Sequence, residues 1–175
     1  MAVVLQPAGP GDAPALAEIQ VAAWLRAYQD VLAPLELAER ADVEARRTAW
    51  EAALATPEEG EATLVARLGA RPVGLCVLRE RGSEPDLPGV PELRALHVHP
   101  VAQGAGVGGA LHDEALRRLA AGGAVEATLR VFAANWAARR FWAGRGWSQD
   151  ADAPALESGG AATERWRRAL RSTTR

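Results

Sequence analysis

The sequence predicts an α+β domain: a mixed, mostly antiparallel central sheet of about seven strands with helices on both faces. Three observations predict it. Apolar runs bounded by turn signals alternate with helical spacing in the order β-α-α-β-β-β-α-β-α-β-β. Two of those runs flank a tight turn, so the early part of the sheet is an antiparallel hairpin. A later stretch reads strand, glycine loop, helix, strand, which is a parallel crossover. The 175 residues fit one domain, 1–175, and can bury a substantial core.

The elements follow in order. "AVVLQPA", Ala2–Ala8, is a first strand. Gly11-Asp12 then offers an N-cap, and Leu16, Ile19, Ala23 and Leu25 carry the apolar spacing of a helix from Ala13 to Tyr28. One further helix is expected from Pro34 to Leu54. Strands near Ala62–Leu68 and Pro72–Arg79 flank the turn Gly69-Ala70-Arg71. "GSEPDLPGVP" is a loop too short to be a domain linker. "ELRALHVH" is a strand. After a glycine-rich loop, Val107, Leu111, Ala115, Leu116 and Leu119 share one helical face, and Gly122-Gly123 end that helix. "AVEATLRVF" is the next strand. "NWAARRFWAGRGW" opens on the N-cap Asn135 and closes at Gly144. A pair of short strands follows, near Trp147 and at "TERWRRAL".

Composition narrows the function. Apolar residues are 49% of the chain, charged residues 24%, and the net charge is −2, so nothing points to nucleic acid or an anionic membrane. No apolar run reaches the length of a membrane span. The opening "MAVVLQPAGPGDAP" lacks a basic region followed by a long apolar run, so the expected location is cytoplasmic. The single cysteine, Cys76, sits in an apolar strand and reads as core. All 20 basic residues are arginine. Without lysine, a Walker-type phosphate loop and a Schiff base are both excluded. His97, His99 and His112 form no metal-binding pattern, so no metal is expected.

The informative stretch is "LHVHPVAQGAGVGGALHDEALRRL", with four glycines in six residues, Gly104, Gly106, Gly108 and Gly109. Strand, glycine loop and helix together present bare backbone N–H groups to a phosphate. Three readings compete. The glycines could form only a tight turn. Gly104-x-Gly106-x-x-Gly109 also matches a dinucleotide fingerprint, which would make the chain a nicotinamide-binding oxidoreductase. That fingerprint needs an acid at the end of the following strand, and "LRVFAANW" has none. The third reading is a different pyrophosphate loop, (Gln/Arg)-x-x-Gly-x-(Gly/Ala), met by Gln103 through Gly108.

Here the sequence resembles the GNAT superfamily of N-acetyltransferases. "ELRALHVHPVAQGAGVGGALHDEAL" is similar to that family's central strand, acetyl-CoA loop and helix. Asn135, Ala138, Phe141, Gly146 and Trp147 are similar to its second motif. "EIQVAAWLRAYQDVL" and "TERWRRAL" resemble its first helix and last strand, so the likeness runs from about residue 2 to 170. The fold it implies has splayed central strands, with the pantetheine arm in the gap. It implies acetyl-CoA as cofactor and transfer of the acetyl group to an amine of a small molecule or peptide. A homodimer through the edge strands or the C-terminal segment is what the family suggests.

The resemblance also implies roles. Leu96, His97 and Val98 would contact the pantetheine and acetyl end, with the Val98 N–H polarising the thioester carbonyl. Gln103, Gly104, Ala105, Gly106, Val107, Gly108 and Gly109 would hold the pyrophosphate. Asn135 would bond the pantetheine region, with Ala138, Phe141 and Trp142 beside it. Glu92, six residues before Val98, stands where a family glutamate often acts as base, or else is a surface carboxylate. His97 and His99 are its rivals, although strict alternation puts them on the opposite strand face unless a bulge intervenes. One departure concerns the acid that protonates the leaving thiolate. The family's tyrosine is replaced by Trp142, whose indole is no acid near neutral pH. This leaves Tyr28, water or no dedicated acid, and it supports an alternative, a non-catalytic acyl-CoA-binding module or sensor. Arg117, Arg118, Arg139 and Arg140 read equally as phosphate partners or as solvated helix faces. Trp24, Tyr28 and the loop Glu84–Asp86 would line the acceptor entrance, aromatics with carboxylates suiting a cationic amine. Trp24 reads as well as core.

Overall fold

The computed structural model describes residues 2–29, 32–154, 156–158 and 161–170. Eight strands form one sheet: β1 (Val3–Pro7), β2 (Glu61–Leu68), β3 (Arg71–Arg79), β4 (Glu92–Val98), β5 (Glu126–Phe132), β6 (Ser148–Gln149), β7 (Leu156–Ser158) and β8 (Ala161–Ala169). Five α-helices accompany them: α1 (Ala13–Tyr28), α2 (Pro34–Arg40), α3 (Val43–Ala55), α4 (Val107–Ala121) and α5 (Trp136–Ala143). The sheet order is β1-β2-β3-β4-β5-β8-β6, with β7 also on β8. Every pairing is antiparallel except β4 with β5. Among the described residues no helix is long and apolar enough to cross a membrane.

The two faces of the sheet bury different side chains because strand residues alternate. One face, with Cys76, Leu78, Leu93, Leu129 and Val131, packs on Val107, Leu111, Ala115 and Leu119 of α4 and on Trp142 of α5. The other face, with Val65, Leu75 and Val77, packs on Leu16 and Ile19 of α1, flanked by Trp50 and Leu54 of α3. The α4 side chains recur at three- and four-residue intervals, as an apolar helix stripe requires. Gly74 in β3 lets α4 lie close. A Cβ there would stand 2.9 Å from Val107 Cγ1 and 3.0 Å from Leu111 Cδ1. Cys76 is fully buried, and burial pushes its thiol up to about 12, so it is core.

Three expectations change. The helix expected from Pro34 to Leu54 is two helices. The chain leaves helical geometry at Asp42, whose side-chain oxygen accepts from the Ala45 N–H (3.0 Å) and starts α3 afresh. The C-terminal pair of strands is three strands, because β8 is long enough to carry β6 and β7 on successive stretches of one edge. Finally, β4 carries a bulge. Leu78 faces Leu93 while Val77 faces Ala95, so Arg94 is the extra residue. The bulge resets alternation and puts His97 on the same face as Glu92.

Candidate active site

The site begins as a gap in the sheet. β4 and β5 are bridged at Glu92 and Thr128, near their N-terminal ends, and then diverge. The Thr128 N–H donates to the Pro91 carbonyl (2.9 Å) and closes the V at its base. The His99 N–H donates to the Val73 carbonyl of β3 (2.9 Å). Strand N–H groups alternate in direction, so those of Val98 and Leu96 point the other way, into the gap that β5 has left. The Val98 carbonyl is taken by the Gln103 side-chain amide (3.3 Å). That bond anchors the glycine loop to the end of β4.

The loop ends at the N-terminus of α4, where Gly106 caps with φ +81° and Gly104 has φ +80°. Other residues rarely adopt that conformation. A Cβ at either glycine would meet nothing within 4 Å, so backbone shape and not crowding demands glycine here, and the space beyond is open. The first helical bond runs from the Ala110 N–H to the Gly106 carbonyl (3.0 Å). The N–H groups of Val107, Gly108 and Gly109 thus lack helical partners, and the helix dipole adds positive potential there. Arg145 lies over this turn. Its guanidinium stacks on Phe141 (4.8 Å), and Nη1 stands 3.4 Å from Asp113. A Cβ at Gly109 would strike it.

Loop and gap open into one cleft of about 1350 Å³. Its wall includes Leu96 and Val98 from one face of β4 and Ala95 and His97 from the other. The cleft therefore passes through the sheet. The α4–α5 side holds Gln103, Gly104, Gly106, Gly108, Gly109, Asn135, Ala138, Phe141 and Trp142. The α1–α3 side holds Trp24, Tyr28, Arg46 and Trp50. The whole wall carries six arginines and one carboxylate, Glu61. Such a wall attracts anions.

His97 faces the α1–α3 side, and none of the described residues hydrogen-bonds its ring. Loss of hydration, and then the charge of Arg46, push its pKa down to about 4, so it is neutral near pH 7. Tyr28 is buried, and its hydroxyl accepts from the Asn135 side-chain amide (2.9 Å). Burial pushes that phenol up, outweighing the opposing pulls of Asn135 and of Arg40. Trp24 is more than core: its ring packs on Tyr28 (4.6 Å) and Phe132 (5.5 Å) with Arg40 over it (5.1 Å), and it lines the cleft.

Most expected site residues meet in this cleft, and several do not stand as expected. Ala105 and Val107 are off its wall. Val107 is buried under α4, so only its backbone faces the loop. Glu92 is also off the wall. It is buried at the start of β4, and Oε2 accepts from the Ser83 hydroxyl (3.1 Å) and amide (3.3 Å). Asn135 uses both ends of its amide, Oδ1 accepting from the Ala138 N–H (3.0 Å) to cap α5 while Nδ2 serves Tyr28. Trp142 is buried among Phe141, Trp147 and His112. Of the entrance carboxylates, Glu84 is held by Arg130 (2.5 and 2.8 Å) and Arg165 (3.0 Å), and Asp86 by Arg165 (2.7 and 2.8 Å). Neither lines the cleft, so the expected acidic entrance is spent on structure. Arg117 and Arg118 pair with Glu114, and Arg139 with Glu164. Arg140 reaches the cleft, over Trp136. Sequence reasoning missed Arg46, Trp50, Arg94 and Arg145. Arg46 and Trp50 stand four apart on a helix, which signals a shared face but not what the face meets.

Comparison with known proteins gives a family and a fold. A sequence model of the Acetyltransferase (GNAT) family matches residues 16–147. No curated protein matches the sequence. The fold is shared with PaiA N-acetyltransferase from Thermoplasma acidophilum, solved in complex with coenzyme A (TM-score 0.74, 16% identity, 97% of this chain and 99% of that chain). It is shared with a GCN5-related N-acetyltransferase from Rhodopseudomonas palustris (TM-score 0.72, 28% identity, 97% of each chain). It is also shared with yncA of Salmonella typhimurium, a putative acetyltransferase solved with acetyl-CoA (TM-score 0.69, 19% identity, 100% and 98%).

Proposed function

The chain belongs to the GNAT acetyltransferase family, and on that premise we propose that it transfers an acetyl group from acetyl-CoA to an amine by direct attack on the thioester. The observation that carries this reading is the continuous cleft joining the bare N–H groups of the α4 N-terminus to the unpaired N–H of Val98. These groups fit acetyl-CoA, which supplies an activated thioester. The backbone of Gly104 to Gly109 would hold the pyrophosphate, with Arg145 and Arg140 as flanking cations. The Val98 N–H would polarise the carbonyl, a fixed donor in a part-dry gap. Leu96, Ala138 and Phe141 would line the arm.

The attacking amine has to arrive uncharged. A cleft wall with six arginines and one carboxylate favours the neutral form of a bound amine. His97 is the imidazole that faces the acceptor side, and it is neutral near pH 7. Its ring would accept a hydrogen bond from the amine and pass the proton to solvent. Glu92 stands off the cleft wall, bound to Ser83. The thiolate needs no strong acid. Tyr28, fixed by Asn135, lies on the wall and would hand it a proton.

The experiment is thermal unfolding with acetyl-CoA, then thiol release on adding amines. A ligand that binds only the native state raises the melting temperature. A rise with acetyl-CoA followed by amine-dependent thiol release is the expected result. Binding with no release across a broad amine panel would leave an acyl-CoA-binding module. Within the active case, His97→Gln lowers kcat at least about tenfold and Glu92→Gln lowers it less, because proton transfer follows reach.

A further inference from the structure

We propose that the acceptor carries an anionic group beside its amine, as an amino acid does, and that Arg46 binds that group. The inference rests on the acetyltransferase reading and assigns its substrate class. Arg46 stands on α3, part-buried, in the wall of the cleft on the face of His97. Its charge acts on the His97 ring. Its Nε donates to the Arg40 carbonyl (3.2 Å), which fixes the direction of the guanidinium. No carboxylate among the described residues pairs with its two terminal nitrogens. A part-buried arginine whose fork meets no carboxylate among the described residues is a receptor for a planar anion, since a carboxylate meets both nitrogens at once.

The remaining charges at this end agree. Glu61 is the one carboxylate on the wall, and its Oε2 already accepts from Arg79 (3.0 Å) and Arg94 (2.7 Å). Glu84 and Asp86 are committed to Arg130 and Arg165. A polycationic amine would therefore find no free carboxylate and a surplus of arginine, which repels it. An amine with a carboxylate brings its own counter-charge. Held by Arg46, it would present its nitrogen to His97 and, through the gap, to the thioester carbon whose oxygen the Val98 N–H polarises.

The test uses pairs of acceptors that differ in one group: L-methionine, L-phenylalanine and L-glutamine against their amides, with spermidine as the polycation. An amino acid amide frees its amine more easily than the acid does, so a preference for the acid cannot come from amine basicity. We expect kcat/KM to favour the acid by about 10- to 100-fold, the range of a charge-assisted hydrogen bond. Arg46→Gln abolishes that preference through KM and leaves acetyl-CoA affinity unchanged. Arg46→Lys restores part of it. Calorimetry of the CoA-loaded protein with N-acetyl-methionine and its amide shows the same preference without turnover. Transfer to amides or spermidine as fast as to acids overturns the inference while the acetyltransferase stands, and so does a preference that survives Arg46→Gln in a folded protein. Acetyl-CoA binding with no acceptor used overturns the transferase reading itself, and the inference with it.

Discussion

His97 and His112 are both neutral by burial, and the two serve different ends. His97 stands in the cleft wall with Arg46 near it. His112 is 1% exposed on α4, inside the α4–α5 core. Its Nε2 accepts from the Trp147 indole (3.1 Å) and has Arg168 at 3.4 Å, so its Nδ1–H donates to Asp113 (2.6 Å). Protonating Nε2 would set a new hydrogen against the indole N–H, beside two arginines. The pKa of His112 is lowered by burial first, against the pull of Asp113, and that of His97 is lowered to about 4. The unfolded chain titrates both near 6.5, so below that pH it binds protons that the folded chain refuses. Their stabilisation is complete above pH 6.5 and shrinks as pH falls toward the folded values. Melting temperature should therefore decline between pH 6.5 and 4.5, before most carboxylates titrate, and His97→Gln should flatten the decline. An unchanged slope in that variant would show that the folded chain does not hold His97 in its neutral form. Trp142 belongs to the same aromatic core, and this explains why the position can lack a phenol. The indole fills volume against His112 and Trp147, where a buried hydroxyl would need a partner.

Among the elements, α4 connects the core to the cofactor loop, and Gly74 sets how close it lies. Gly74→Ala places a Cβ against Val107 and Leu111 at the first turns of the helix and near the His97 carbonyl (3.3 Å). Neither the backbone nor the packed side chains can yield freely. The expected cost is about 1–3 kcal/mol in urea unfolding, with weakened acetyl-CoA binding because the helix N-terminus moves. Weakened stability with full CoA affinity would separate helix packing from loop geometry. This same region was largely legible in the sequence. The α4 stripe, the glycine loop, the Asn135 cap and the hairpin are local patterns, each fixed by period or by a turn residue. Two of the three misreadings were decided by single residues. Asp42 serves equally as an exposed helix residue or an N-cap, and only the fold chooses. The bulge at Arg94 has no local signal, since glycine and proline are absent from "ELRALHV", yet it turns His97 onto the acceptor side. Arg46 was out of reach for the same reason: only the fold brings its charge to His97.

At the scale of the whole molecule, a buried ion network joins the two halves of the sheet across the gap. Arg165 of β8, with a side chain 2% exposed, binds Glu84 (3.0 Å), Asp86 (2.7 Å) and Asp150 (2.8 Å). Glu84 also binds Arg130 of β5. The loop from Gly82 to Pro91, which leads into β4, is thus bound to the β5–β8 half, while Glu92 inside β4 is bound back to Ser83. The Glu84 carboxyl is held below its usual range, by the Arg130 bond first and by Arg165 against the effect of burial. Removing one member of a buried cluster leaves uncompensated charge, which costs about 3–5 kcal/mol. Arg165→Met should fall at the low end, about 3 kcal/mol, because Glu84 keeps Arg130 and Asp150 keeps Arg167 (3.7 Å). Adding Glu84→Gln to that variant should cost less than Glu84→Gln costs alone, since the charge it removes has already lost a partner. Buried pairs are poorly screened, so the loss measured by urea unfolding should be nearly independent of salt. The network also ties the loop that leads into β4 to β5, beside the base of the gap. Arg165→Met should therefore raise the acceptor KM more than it weakens acetyl-CoA binding, because the N-terminus of α4, the proposed pyrophosphate site, lies on the far side of the sheet. A loss confined to stability, with both substrates bound as before, would mean that the gap is held open by the β3–β4 pairing and the α4 packing alone.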